Sequence, residues 1–315
     1  MGRQRWRALL AGCLALLAWA ASAEPAPRSC PPQATAPTRE LMARAREQAT
    51  DRGFLWRLSR DGRDSFLYGT VHAGRPEWFA LGPQVQTALH RTGALALEIN
   101  VADPAVQARL QAVLDGPPRP LPPALMQALR EAWHGECLPE ADLARGPAEL
   151  HVLQVAVAQA QRQGLFAQYG AESVLLVHSL GAQRPVVGLE TPETQLAAVL
   201  ARSDDEAVAM VNDALAELQR PRAAGAMARL VQAWVTRDLA ELEAYPQWCD
   251  CLNTPSERES FARLADGRNP GMADAIERLH ADLSVFAAVG ALHLIGPKGL
   301  PALLQARGFT VSRVF

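Results

Sequence analysis

Read from its apolar and polar positions, the chain divides into strand-like ends and a helical middle. Apolar-rich runs at residues 55–58 and 65–68 flank Asp61-Gly62, which predicts two strands joined by a tight turn. An amphipathic helix is expected just before them, over residues 37–49. Residues 83–91 predict a helix and 94–99 a short buried strand. From 104 to about 183 the apolar spacing is helical, with breaks at Pro117-Pro118 and Pro122-Pro123. Residues 185–189 form another apolar strand, and 192–282 are again mostly helical. Strand 285–294, helix 300–307 and strand 309–314 close the chain, with Gly308 where a helix ends on glycine.

Two of these stretches echo each other. Tyr68-Gly69-Thr70-Val71-His72 leads into a helix, then Gly93, then the strand at 94–99. Val289-Gly290-Ala291-Leu292-His293 leads into a helix, then Gly308, then the strand at 309–314. The expected fold class is therefore α/β in the broad sense (α+β). Two related β-α-β halves pair about a pseudo-twofold axis, around a large helical insertion.

Composition changes this picture little. With 315 residues, 49% hydrophobic and 20% charged, the chain can bury a sizeable core and carries no disorder signature. The N-terminus adds more. Arg3, Arg5 and Arg7, an apolar run over 8–19 and Ala21-Ser22-Ala23 predict a signal peptide over 1–23, hence a periplasmic or secreted protein. Leu10-Ala11-Gly12-Cys13 also matches a lipoprotein box, but the apolar run continues past Cys13, and cleavage after Ala23 fits better. Residues 24–38 read as a proline-rich tether and 39–315 as the folded domain. Without the leader, 28 basic residues face 33 acidic ones, a charge of about −5 that leaves no basic excess for nucleic acid. No later apolar run is long enough to predict a transmembrane segment. Oligomeric state has no signature in the sequence.

Four cysteines remain: Cys30, Cys137, Cys249 and Cys251. An even count in an exported chain predicts disulfides, and the spacing lacks the Cys-x-x-Cys of structural zinc. A bridge between Cys249 and Cys251 would strain a very short ring, so each is expected to reach a distant partner.

Each Gly-x-x-His stands at the carboxyl end of a predicted strand, where open α/β sheets place their ligands. The glycine permits close backbone approach, and a period of two puts Thr70 and His72 on one face. Glu98 ends one apolar strand and Glu190 another. An acid closing a buried strand needs a cation, a donor or water. His72, His293, Glu98 and Glu190 form a set that could surround one divalent metal, with an open position for water. His72, His293 and Glu98 are then the metal ligands, and Glu98 and Glu190 the acid–base candidates. Mixed nitrogen and oxygen ligands suit manganese, cobalt or zinc. Arg268-Asn269, ahead of a helix, could hold a substrate carboxylate or orient a site carboxylate bidentately. The plainer alternative is an asparagine cap beside a surface arginine. His134, Glu136 and Cys137 lack ligand periodicity, and His90, His151, His178 and His280 fall on predicted helices with ordinary surface or core roles.

These motifs, in this order, resemble the TraB/GumN (Tiki-like) family. The blocks are Phe66 to His72, Leu97-Glu98, Tyr169-Gly170-Ala171-Glu172 with Gly188-Leu189-Glu190-Thr191, Arg268-Asn269-Pro270-Gly271-Met272, and Val289 to Leu294 with Gly296, Gly299-Leu300 and Gly308-Phe309. The resemblance spans nearly everything from Leu55 onward. It implies a Tiki/erythromycin-esterase-like fold and, as in animal members, a metal-dependent proteolytic centre on His72, His293 and Glu98, with Glu190 as a further candidate. The expected activity is a metal-dependent hydrolase acting on a peptide or protein. Related folds also bind haem or cleave esters, so the alternatives are a non-catalytic binding protein for metal, haem or peptide, and an inactive scaffold.

Overall fold

The hairpin forms where the turn chemistry places it. Phe54–Arg60 (β1) pairs antiparallel with Arg63–Thr70 (β2), from Phe54 opposite Gly69 to Arg60 opposite Arg63. Asp61 and Gly62 both take positive φ, 51° and 74°, as a two-residue type I′ turn requires. The computed structural model describes residues 29–220 and 223–315, and Pro31–Phe315 forms one unit. The expected signal peptide, the lipidation alternative at Cys13 and the first part of the tether lie outside the described residues.

Four more strands complete the sheet: Ala94–Leu97 (β3), Val186–Gly188 (β4), Val285–Gly290 (β5) and Thr310–Arg313 (β6). Their order is β4-β3-β5-β2-β1-β6. The neighbours β4, β3, β5 and β2 run parallel, whereas β1 opposes both β2 and β6. Strand β5 lies between β3 and β2, and Val285 to Val289 are all fully buried. Both of its faces are covered, which is why it reads as an unbroken apolar run rather than an alternating one.

The helical middle is a run of separate segments on either side of β4. Pro104–Leu114, Pro123–Gly135, Ala148–Arg162 and Ala171–Gly181 precede β4. Pro192–Val199, Asp204–Gln219, Ala223–Thr236, Pro255–Leu264 and Asn269–Asp282 follow it. Pro123 occupies a first-turn position, where a missing N–H costs nothing, so the expected break becomes a helix start. Thr254 and Glu257 form a reciprocal capping box at the helix Pro255–Leu264, a feature worth about 1 kcal/mol. Leu129, Trp133, Val152, Val155, Val211 and Leu215 form a second, smaller apolar cluster among these helices. Among the described residues no helix is long and apolar enough to cross a membrane.

Three expectations change. The strand expected over 285–294 stops at Gly290, where its partner β2 also stops, because Thr70 pairs with Gly290 and no strand continues beyond. Ala291–Leu294, which carries His293, is instead a 3₁₀ turn. The β-α-β echo is real, but the halves interleave. Strand β2 reaches β3 across β5, while β5 reaches β6 across both β2 and β1, so β1 interrupts the pseudo-twofold symmetry. Finally, Cys249 and Cys251 are bonded to each other and not to distant partners. Asp250 between them takes φ of 56°, folding the chain back until the two Cα atoms are 5.1 Å apart, inside the range a disulfide spans. Cys30 and Cys137 are each in a disulfide as well.

Candidate functional site

The parallel strands β2, β3, β4 and β5 end together. Thr70 pairs with Gly290, and Leu97 pairs with both Ala288 and Gly188. The residues just past these ends are His72, Glu98, Glu190 and the turn holding His293, so four distant chain segments deliver their polar groups to one end of the sheet. This is the carboxyl edge where open α/β sheets bind ligands.

Three of those groups meet over Gly290. A β-carbon built on Gly290 would lie 3.4 Å from Glu98 Oε1, 3.5 Å from His72 Nε2 and 3.6 Å from His293 Cδ2. His293 Nε2 stands 3.7 Å from Glu98 Oε1. Glycine therefore leaves a small cradle that a larger residue would fill. Its N–H donates to Glu98 Oε1 at 2.7 Å and fixes that carboxylate at the rim.

Both imidazoles are held from behind. His72 Nδ1 lies 3.0 Å from Glu172 Oε1, and the Thr70 hydroxyl donates to the same oxygen. Thr70 and His72 thus meet at one carboxylate oxygen, although β2 ends at Thr70 and His72 lies beyond it. Glu172 is in the first turn of the helix Ala171–Gly181, where the helix N-terminus favours a carboxylate. His293 Nδ1 is 2.7 Å from Asn269 Oδ1, while Asn269 Nδ2 donates to the Lys298 carbonyl at 2.8 Å. The second bond fixes which end of the amide faces His293, so the ring donates from Nδ1. His72 presents Nε2 to the cradle; His293 turns its Cδ2 edge there, with Nε2 3.7 Å from Glu98 Oε1 and 3.4 Å from Arg268 Nη1.

Arg268 organises the carboxylates. Its Nη2 donates to Glu98 Oε2 and to Glu190 Oε1, each at 2.5 Å, and its Nε donates to Glu190 Oε2 at 3.0 Å. Nη1 reaches the Leu264 carbonyl at 3.0 Å. With these donors committed, Arg268 is the carboxylate-orienting arginine of the two roles expected, not one free for a substrate carboxylate. Nor is it a surface residue, since it is 8% exposed. Glu190 is engaged through both oxygens by Arg268, so Glu98 is the carboxylate that reaches the histidines. Gln195 adds a 3.2 Å bond to Glu98 Oε2.

Charge follows geometry. The Glu172 carboxylate beside His72 pushes its pKa up to about 9. Burial pulls His293 down to about 4. Burial also opposes ionisation of Glu98, yet the two rings, Arg268 and the Gly290 N–H hold it down to about 2. Burial raises Glu190 against the pull of Arg268. Glu98, Glu172 and Glu190 set three carboxylates against one guanidinium. With both rings neutral the cluster lacks two positive charges. A proton on His72 supplies one of them; a divalent cation would supply both.

The donor set fits such a cation. Two imidazoles and a carboxylate meet at one small cradle, and each ring carries the rear hydrogen bond that metal-bound histidines use to fix tautomer and orientation; Arg268 Nη1, 3.4 Å from His293 Nε2, would have to yield that nitrogen to an ion. Among the described residues no three histidine, cysteine, aspartate or glutamate side chains already stand in a metal-holding arrangement, so the three would have to draw closer around an ion.

Other candidates lie elsewhere. His134 pairs with Glu140 at 2.7 Å and Glu136 with Arg162 at 2.5 Å, both outside the cradle. His151 packs edge-on against Trp133, and His280 bonds Ser65 at 2.7 Å. Glu172 is the site residue that sequence reasoning did not single out. Its signal was an acid two residues after glycine at a helix start, within the motif block that also carries Tyr169. Gly170 is part of that signal, because a β-carbon there would lie 2.4 Å from the His72 carbonyl oxygen.

The TraB/PrgY/gumN family model matches residues 54–313, which is most of the chain. Over 252 residues the chain is 26% identical to the "Uncharacterized protein YbaP" of Shigella flexneri, covering 77% of this chain and 88% of that protein. It is 32% identical over 148 residues to the protein of the same description from Escherichia coli (strain K12), covering 47% of this chain and 52% of that one. No solved structure matches the chain.

Proposed function

The chain belongs to the TraB/PrgY/gumN family, and on that premise we propose that it is a metal-dependent hydrolase with a peptide or protein substrate, acting outside the cytoplasm. His72, His293 and Glu98 hold the metal, with manganese, cobalt or zinc as the candidates. The supporting observation is the cradle over Gly290, where these three groups converge in a cluster that is two positive charges short while both rings are neutral.

A divalent ion bound there lowers the pKa of water and polarises a carbonyl. The protein's part is orientation. Glu172 and Asn269 set the two rings, and Arg268 with Gln195 holds Glu98 Oε2, which leaves Oε1 as the oxygen facing the histidines. Glu98 is in this reading both a metal ligand and the candidate proton acceptor, and Glu190 is the other acid–base candidate. Glu190 acts through Arg268, keeping the guanidinium where it serves Glu98.

The test is elemental analysis and titration calorimetry with manganese, cobalt and zinc, on the wild type and on the double variant His72→Ala, His293→Ala, followed by a peptide-library cleavage assay. Near-stoichiometric metal lost in the variant, with metal-dependent cleavage in the wild type, is the expected result. Metal uptake without any cleavage would move the protein to a binding role. No uptake of any of the three ions would remove the metal reading altogether.

A further inference from the structure

The Cys249–Cys251 bridge has no part in the hydrolase reading. It closes a loop across one residue, and a cross-link over so short a loop constrains the unfolded chain least. Asp250 holds a left-handed conformation at φ 56°, which a residue with a β-carbon adopts at a cost. Such a bond does little to secure the fold. Conformationally loaded disulfides with a sulfur that solvent can reach are the ones that exchange.

The two sulfurs are unequal. Cys249 is 2% exposed, while Cys251 is only partly buried. An open groove beside the bridge is lined by Arg229, Gln247, Trp248, Cys249, Asp250 and Leu252; Cys251 lies outside that lining. The Cys251 N–H donates to Cys249 Sγ at 3.2 Å, a bond that would stabilise a thiolate there. Arg220 Nη1 donates to the Asp250 carbonyl at 3.0 Å and pins the loop, its charge paired with Glu217 at 2.8 Å. The Tyr245 hydroxyl lies 3.4 Å from Cys251 Sγ.

We propose that Cys249–Cys251 is a thiol–disulfide exchange site for cysteine-containing peptides, with Cys251 as the sulfur that is attacked. An incoming thiolate forms a bond to Cys251 Sγ. The Cys249–Cys251 bond breaks, and its electron pair goes to Cys249 Sγ, which is received by the Cys251 N–H or takes up the proton the thiol released. Where the peptide carries a second thiol, that group attacks the mixed disulfide. The peptide leaves oxidised, and the protein keeps two thiols. Two electrons then pass from the peptide dithiol to the protein in a single stoichiometric turnover.

The folded full-length chain is equilibrated with graded mixtures of reduced and oxidised glutathione, quenched in acid, alkylated and mapped by mass spectrometry. The segment holding Cys249 and Cys251 should take two labels at glutathione levels that leave Cys30 and Cys137 unlabelled. Simultaneous labelling of all four, or labelling only after denaturation, overturns the proposal. Cys249→Ser should also form a mixed disulfide with an activated cysteine-containing hexapeptide at least roughly tenfold faster than Cys251→Ser, because only the former keeps the accessible sulfur. Equal rates overturn the assignment of Cys251.

Discussion

His72 Nδ1 lies 3.0 Å from Glu172 Oε1, joining the first Gly-x-x-His motif to a helix start a hundred residues later. The carboxylate fixes the ring and raises its basicity, as rear partners of metal-bound histidines do. Glu172→Gln keeps a polar partner but removes the charge. Affinity for manganese, cobalt or zinc should fall about 10–100-fold, read by titration calorimetry. Unchanged affinity would mean that the pair serves folding alone.

Gly290 offers a cleaner lever. Its φ of −52° suits alanine, so the backbone gains no strain from a side chain. The added methyl would sit 3.4–3.6 Å from Glu98 Oε1, His72 Nε2 and His293 Cδ2, inside the cradle. Gly290→Ala should melt close to the wild type yet take up almost no metal. A variant that keeps full metal content would place the ion elsewhere.

Arg268 neutralises two buried carboxylates, so its loss leaves both without their shared counter-charge. Arg268→Ala should lower stability by about 3–5 kcal/mol in urea unfolding at neutral pH. Arg268→Lys should recover part of this but not all, because an ammonium cannot reproduce the fork that spans Glu98 and Glu190. Equal stability of Arg268→Ala and the wild type would contradict the pairing.

In the metal-free protein the two histidines should titrate far apart. His72 is held up to about 9 by Glu172 and His293 is held down to about 4 by burial. The His72 contribution to stability is fully present below about 6.5 and is lost as pH rises through about 9. The His293 contribution runs the other way: present above about 6.5 and lost as pH falls through about 4. His72 is 75% exposed, so solvent screening shrinks its share. Ring-proton chemical shifts followed from pH 3 to 10 give both midpoints directly. Coincident midpoints near about 6.5 would show that neither environment acts as described.

Much of this was legible in the sequence because short-range rules govern it. Asp61-Gly62 dictates its hairpin, the apolar run before Gly290 dictates a doubly covered strand, and an acid such as Glu98 at a strand end demands a partner. Arg268 was visible for the same reason, as a cation beside a helix start, although its role stayed open until both carboxylates appeared around it. What escaped depends on approach between distant segments. Glu172 looks like any first-turn acid until its helix packs against the His72 loop. Glu190 looked equivalent to Glu98, because nothing local says which carboxylate faces the rings and which faces Arg268. The Cys249–Cys251 bridge turned on one dihedral, at Asp250, that its residue type does not announce.

The central pairing of β2 with β5 has a kinetic corollary. Phe66 pairs with Phe286 and Thr70 with Gly290, partners more than two hundred residues apart along the chain. Contacts so remote incur their loop-closure entropy before anything repays it, and they form late. While the last thirty residues are still unmade or unthreaded, His72 and Glu98 have neither Gly290 nor His293 to meet. Until the segment holding Gly290 and His293 is in place beside β2, the cradle does not exist, and its parts are held only by their local partners.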